Sequence, residues 1–99
     1  MKRESKVQAE IAKHIKSLES GWVIKVMRAN ENGCPDLLAC IDGRFYGIEV
    51  KAETHEKNPF GQTSAWQRKQ LRAISDANGI SMCVASLEQF IYELDISNL

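Results

Sequence analysis

The chain has 99 residues, 43% of them hydrophobic and 26% charged, with 13 basic residues balanced by 13 acidic ones. That composition excludes a disordered or fibrous chain and gives room for one soluble globular domain, residues 1–99, with one core and one site. No run approaches the ~20 apolar residues of a membrane span, and the charged start leads into no apolar stretch, so the expectation is a cytoplasmic protein with no membrane partner.

Three widely spaced cysteines, Cys34, Cys40 and Cys83, form no CxxC pair. They are expected as reduced thiols packed like small apolar groups, neither a disulfide framework nor a zinc site. The charge is segregated along the chain: residues 1–72 hold every basic residue and a net charge of +4, and residues 73–99 hold a net charge of −4. Such a positive half can face a polyanion, although exposed Lys and Arg are equally the make-up of an ordinary solvated surface. A domain this small leaves much of its surface unburied and gains from a second copy, so a homo-oligomer is expected.

In chain order, Val7, Ile11, Ile15 and Leu18 recur at helical spacing, which predicts an amphipathic helix over residues 4–19 ending near Ser20-Gly21. Trp22 to Arg28 is β-branched and aromatic, and predicts a first strand. The Pro35-Asp36 pair opens a second, and Asp42-Gly43 between two apolar runs is a hairpin signal, since a type I′ turn needs positive φ at both central residues. The third strand runs to Lys51. Ala52 to Thr63 is polar and broken by Asn58-Pro59 and Gly61, and reads as a loop. A second helix starts near Ser64, with Trp66, Leu71 and Ile74 expected on its inner face, and stops at Asn78-Gly79. Ile80 to Ala85 is a fourth strand, and Ser86 with Gln89 reads as a capping box opening a last helix. The order αβββαβα predicts an α/β fold: a mixed four-stranded sheet flanked by helices, its last strand parallel to the third through a right-handed crossover.

The hairpin turn fixes which residues face each other. Ile41 faces Arg44, Cys40 faces Phe45, and by extension Asp36 faces Glu49, which sets two carboxylates side by side at ~4.5–5.5 Å between Cβ atoms. Alternation sends Ile48 and Val50 into the core and Glu49 and Lys51 to the other face. The simpler reading makes Lys51 a neutralising surface partner worth ~0–1 kcal/mol. The chemical reading is a hard oxygen site for Mg²⁺ or Mn²⁺, which would cancel the repulsion and polarise a phosphodiester beside a lysine.

Gly33-Cys34-Pro35-Asp36, thirteen positions to Glu49, then Glu49-Val50-Lys51, resembles the signature of the PD-(D/E)XK nuclease superfamily. With Glu4-Ser5-Lys6-Val7-Gln8 and Ser64-Ala65-Trp66-Gln67 the chain is similar to the stand-alone VRR-Nuc domains carried by phages and bacteria. This resemblance implies a restriction-endonuclease-like αβββαβ core and a metal-dependent DNA endonuclease, with Asp36, Glu49 and the Val50 carbonyl as metal ligands. Lys51 would stand beside the attacking water, and Glu4 would come in from the first helix. Glu4 and Gln8 continue the apolar stripe of that helix; Glu10 lies off it but is the alternative carboxylate. Gln67 has two readings: the fourth member of a capping box from Ser64, or a partner of the water, Lys51 or a phosphate. Gln8, Lys57, Arg68, Lys69 and Arg72 are the expected substrate contacts, and Arg68 and Arg72 share a helical face. His55 is taken as a loop residue. Trp22, Phe60 and Trp66 are expected in the core or an interface, not as base-stacking platforms. The resemblance further implies a homodimer selective for branched DNA such as four-way (Holliday) junctions. A less selective phage endonuclease and a non-cleaving nucleic-acid-binding module are the alternatives.

Overall fold

The computed structural model describes residues 1–99. Its elements are α1 (Glu4–Ser17), β1 (Gly21–Lys25), β2 (Leu37–Ile41), β3 (Arg44–Val50), α2 (Ala65–Asp76), β4 (Ile80–Val84) and α3 (Leu87–Ser97), with short 3₁₀ turns at Glu53–His55 and Phe60–Gln62 inside the polar loop. One sheet has the order β1-β2-β3-β4, antiparallel through the first three strands and parallel between β3 and β4. The α/β reading of the sequence holds in order and direction.

The hairpin carries the register. Asp42 (φ 52°) and Gly43 (φ 79°) both adopt the left-handed conformation that a type I′ turn demands. The ladder then runs from Ile41 opposite Arg44 to Leu37 opposite Ile48, as the turn predicts. Alternation along β2 and β3 sends Leu37, Ala39, Ile41, Tyr46, Ile48 and Val50 to one face. There they meet Val7, Ile11 and Ile15 of α1 and Phe90 and Leu94 of α3 in a single core cluster. α1 spends its apolar stripe on this contact, which is why a helix of modest amphipathicity is stable here.

The other face is covered by α2, which packs over β3 and β4. Gly47 makes that approach close: a Cβ there would lie 2.5 Å from Ile74 Cδ1. β3 is therefore buried on both faces from Tyr46 to Val50, as the centre of a helix-flanked sheet should be.

Four expectations need correction. The first strand stops at Lys25, not Arg28, because the chain leaves the sheet to cross toward α2; Val26 N–H still donates to the Asp36 carbonyl (2.8 Å), the last bond of that ladder. Trp66 is not on the inner face of α2. Gln67, Leu71 and Ile74, at spacings of four and three, take that face, leaving Trp66 54% exposed with Lys69 Nζ 5.4 Å from its ring centroid. Trp22 and Phe60 are likewise open to solvent, so of the expected core or interface placement of the three aromatics the core is ruled out. Ser86 does cap α3 through Gln89 N–H, but the Gln89 side chain reaches Ala85 N–H instead of closing a box, because its amide group also donates to the Glu56 carbonyl. The three cysteines are unpaired and partly buried. No helix is long and apolar enough to cross a membrane.

Candidate active site

Directly opposed residues point to the same side of a sheet, so one face of β1, β2 and β3 is read in rows: Trp22, Cys40, Phe45; then Ile24, Leu38, Gly47. The next row along holds Asp36 and Glu49, one step past the last ladder pair of Leu37 and Ile48. Asp36 is fixed there by two bonds to neighbouring strands: its carbonyl accepts from Val26 N–H and its Oδ2 accepts from Val50 N–H (2.8 Å). Glu49 projects toward α2 and is 2% exposed.

Three side chains converge on Glu49 from different elements. Gln67 Nε2 donates to Glu49 Oε2 (2.7 Å), Lys51 Nζ lies 3.4 Å from the same oxygen, and Lys51 Nζ donates to Gln67 Oε1 (3.1 Å). Gln67 also closes a capping box: its Oε1 accepts from Ser64 N–H (2.9 Å) and its own N–H donates to Ser64 Oγ (3.1 Å). The capping contact and the contact to Lys51 are therefore both made, and both by Gln67 Oε1, while Nε2 serves Glu49 and the backbone N–H serves the helix start. Capping pins the residue that bridges the ion pair.

Glu49 remains under-satisfied. Its Oε1 is buried without a hydrogen-bond partner. Burial first, and the charge of Asp36 second, push its carboxyl up to about 7, against the opposing pull of Lys51. The neighbouring Cys83, opposite Glu49 on β4, has its thiol pushed up to about 12 by burial and the same carboxylate, so it is an inert group.

The glycine preceding Cys34-Pro35-Asp36 has a structural task that spacing did not disclose. Gly33 sits at φ +82° with its Cα against the first turn of α2; a Cβ there would lie 2.4 Å from the Trp66 carbonyl and 2.7 Å from Gln67 N. Gln70 Nε2 donates to the Asn32 carbonyl (3.2 Å) on the same loop. The segment between β1 and β2 is thus clamped to the turn that carries Gln67. Only the positive φ demanded of Gly33 is a sequence-level hint, and it needs the loop path to be read.

The remaining expected residues are more dispersed. Glu4, at the start of α1, is exposed and makes no side-chain hydrogen bond; its charge reaches Glu49 as the smallest of the influences on that carboxyl. Glu10 turns away and pairs with Lys2 Nζ (3.0 Å). Of the two, only Glu4 is among the charges that act on the Glu49 carboxyl. Gln8 is buried, with its Oε1 unpartnered. Arg68, Lys69 and Arg72 line a depression of about 720 Å³ beside Phe60, Leu71 and Ser81, on the flank of α2 toward β4 and not over the carboxylates. Arg68 is braced by the Thr63 carbonyl. Lys57 does not join them; it borders a separate depression with Glu53 and Glu56, since the 3₁₀ turn at Glu53–His55 carries it away from α2.

No three His, Cys, Asp or Glu side chains gather as a metal cage. Mg²⁺ does not need one: one or two carboxylates suffice when waters and substrate phosphates complete its shell. Asp36, Glu49 with its orphan oxygen, and a backbone carbonyl at the strand end are a donor set of that hard, open kind.

No protein-family model matches the sequence, and no curated protein does. A solved structure described as a VRR_NUC domain superposes with a TM-score of 0.77 over 96% of this chain and 97% of that one, at 22% identity. That likeness, joined to the observed topology, establishes the architecture: the chain has the α/β, restriction-endonuclease-like fold of a VRR-Nuc domain.

Proposed function

We propose that residues 1–99 form one catalytic unit that hydrolyses phosphodiester bonds of DNA with Mg²⁺ or Mn²⁺. The observation that carries this reading is Glu49: a carboxylate 2% exposed, facing Asp36, with one oxygen held by Gln67 and Lys51 and the other unpartnered. A buried carboxylate with a free oxygen beside a second carboxylate is costly unless a cation completes it. Asp36, Glu49 and the Val50 carbonyl would hold the ion. When bound, a divalent ion would polarise the scissile phosphate and acidify a water.

The chain's own residues do the positioning. Lys51, oriented by Gln67 Oε1 and Glu49, presents an ammonium beside the carboxylates, where it orients the attacking water and meets phosphate charge. Gln67 fixes the lysine and Glu49 relative to each other. Glu4 adds negative charge at the mouth. Arg68, Lys69 and Arg72 contact the phosphate backbone along the outer flank of α2, giving salt-dependent affinity without sequence readout. Cutting two strands of a branched or duplex substrate calls for two sites, hence two copies of this small chain.

The test is cleavage of labelled linear duplex, single strand, flap and four-way junction, with and without Mn²⁺, by the wild type and Lys51→Ala. Metal-dependent cutting, strongest on the branched substrate and lost in the variant while binding persists, is expected. Equal cutting by the variant would reject the role of Lys51. Binding without cutting under any metal would replace the nuclease reading with a non-cleaving binding module.

A further inference from the structure

The depression on the β4 flank of α2 combines an aromatic ring with a row of cations. Arg68, Lys69 and Arg72 line one side of it, and Phe60, 53% exposed, lines another. Phe60 is held in place by its neighbours. It opens the 3₁₀ turn Phe60–Gln62, and Thr63, buried at the end of that turn, donates from Oγ1 to the Phe60 carbonyl (2.6 Å). The Thr63 carbonyl in turn accepts from the Arg68 guanidinium. One buried residue thus ties the aromatic to the first cation of the row.

From this we infer that the depression is a subsite for an unpaired nucleotide, its base stacked on Phe60 and its phosphates met by Arg68, Lys69 and Arg72. Three observations select that ligand. An open aromatic face beside cations grips a single strand of any sequence, because every base has a π-face to stack. In a duplex those faces are already stacked on one another, so Phe60 finds a base only where the strand is unpaired. The other aromatic at this end of α2 is engaged, with Lys69 Nζ 5.4 Å from the Trp66 ring centroid, whereas the Phe60 ring has no such partner. The dimensions also fit. A volume of about 720 Å³ lies within the ~300–1,000 Å³ of small-molecule sites and takes a base with its sugar and phosphate. Arg68 and Arg72 are ~6 Å apart along the helix axis, about the reach of one nucleotide in an extended strand. Asp76, one turn further on, ends the row with a charge that repels phosphate, so the groove takes a short stretch of strand and not a long tract.

The loop that carries Phe60 leaves β3 after Lys51 and enters α2 at Ser64, which Gln67 caps, so the subsite and the candidate active site share the start of α2. The inference rests on the proposed DNA contact along this flank and adds what that DNA must offer: an unpaired nucleotide, which a fully paired arm lacks. It does not rest on the carboxylates. Binding of an unpaired strand without cutting under any metal would refute the nuclease reading alone, and cutting without any preference for an unpaired strand would refute the subsite alone.

Fluorescence anisotropy in EDTA, where binding is read without metal-dependent cutting, tests it with two probes: a blunt DNA hairpin, and the same hairpin carrying a short unpaired thymidine tail. The wild type should bind the tailed probe ~10-fold more tightly, the increment of one stacked base. Phe60→Ala, with unchanged far-UV circular dichroism, should bring the tailed probe down to the level of the blunt one, and Phe60→Tyr should keep the preference. Arg72→Ala, which removes a phosphate contact, should weaken both probes. Tyr92→Ala, at an exposed aromatic on α3, should behave as the wild type. With 5-iodouracil in the tail, irradiation should crosslink the strand to Phe60, a readout that needs no variant. Equal affinity for the two probes, a preference that survives Phe60→Ala or is lost in Tyr92→Ala, or a crosslink mapped outside the depression would each overturn the inference.

Discussion

Replacing Asp36 by Asn separates the carboxylate pair from ordinary surface charge. In the folded chain the Glu49 carboxyl is pushed up to about 7, from 4.5 when unfolded. Below about pH 4.5 both states hold that proton and the fold is unpenalised. Between about 4.5 and 7 the unfolded chain releases the proton while the fold retains it, so about 3 kcal/mol of stability is lost across that window, and the loss is complete once the buried group ionises above 7. Asp36 is the second cause of that shift, after burial. Two charges ~5 Å apart at an effective dielectric of ~20 repel by ~3 kcal/mol, and partial exposure of Asp36 together with a weaker bond from Asn to Val50 N–H reduces the net gain to ~1 kcal/mol. Asp36→Asn should therefore unfold at higher urea than the wild type at pH 8 in EDTA, with the difference fading toward pH 4.5 and the m-value unchanged. Saturating Mn²⁺ should reverse the order at pH 8, stabilising the wild type by ~2.7 kcal/mol at one hundred times its dissociation constant and leaving the variant unmoved. A variant that loses more than ~1 kcal/mol in EDTA at pH 8, or a difference that ignores pH, would refute the paired-carboxylate reasoning.

Gly33→Ala should destabilise by ~2–4 kcal/mol, combining left-handed backbone strain with a Cβ driven into the Trp66 carbonyl, as read by thermal melting. Ser64→Ala removes a helix cap and should lower stability by ~1 kcal/mol while leaving much of the cleavage rate, because Gln67 still meets Lys51 and Glu49. Gln67→Leu should lose a similar amount of stability and, in addition, most of the rate; equal rates in the two variants would deny Gln67 any part beyond capping. Arg68→Ala and Arg72→Ala should each weaken binding of duplex DNA at all sequences and lower the salt slope by ~1, measured by fluorescence anisotropy across salt concentrations.

The parts of the molecule that follow from local rules were legible in the residues. An Asp-Gly turn fixes the hairpin register, register fixes which side chains are opposed, and alternation then sets Glu49 and Lys51 on the face away from Ile48 and Val50. Capping chemistry likewise located the start of α2 at Ser64. What escaped depends on how elements cover one another. The hydrophobicity of Trp22 and Phe45 says that these side chains favour cover, but α2 packs on β4 and on β3 at Gly47 and Glu49, and leaves Trp22 on β1 and Phe45 at the start of β3 open. Trp66 and Gln67 are adjacent in sequence, so only one could take the inner face, and the polar one did because Glu49 and Lys51 lie beneath it. Helical spacing brought Gln8 sheetward, yet burial of its amide oxygen is a property of the assembled layers.

Crystals soaked in Mn²⁺ and measured at the manganese absorption edge test the central claim most directly. The account predicts an anomalous peak at roughly 2.1 Å from carboxylate oxygens of both Asp36 and Glu49. Lys51 should remain on Gln67 beside it. No peak at that position in saturating Mn²⁺, or an ion bound by only one of the two carboxylates while the Glu49 oxygen stays bare, would contradict it.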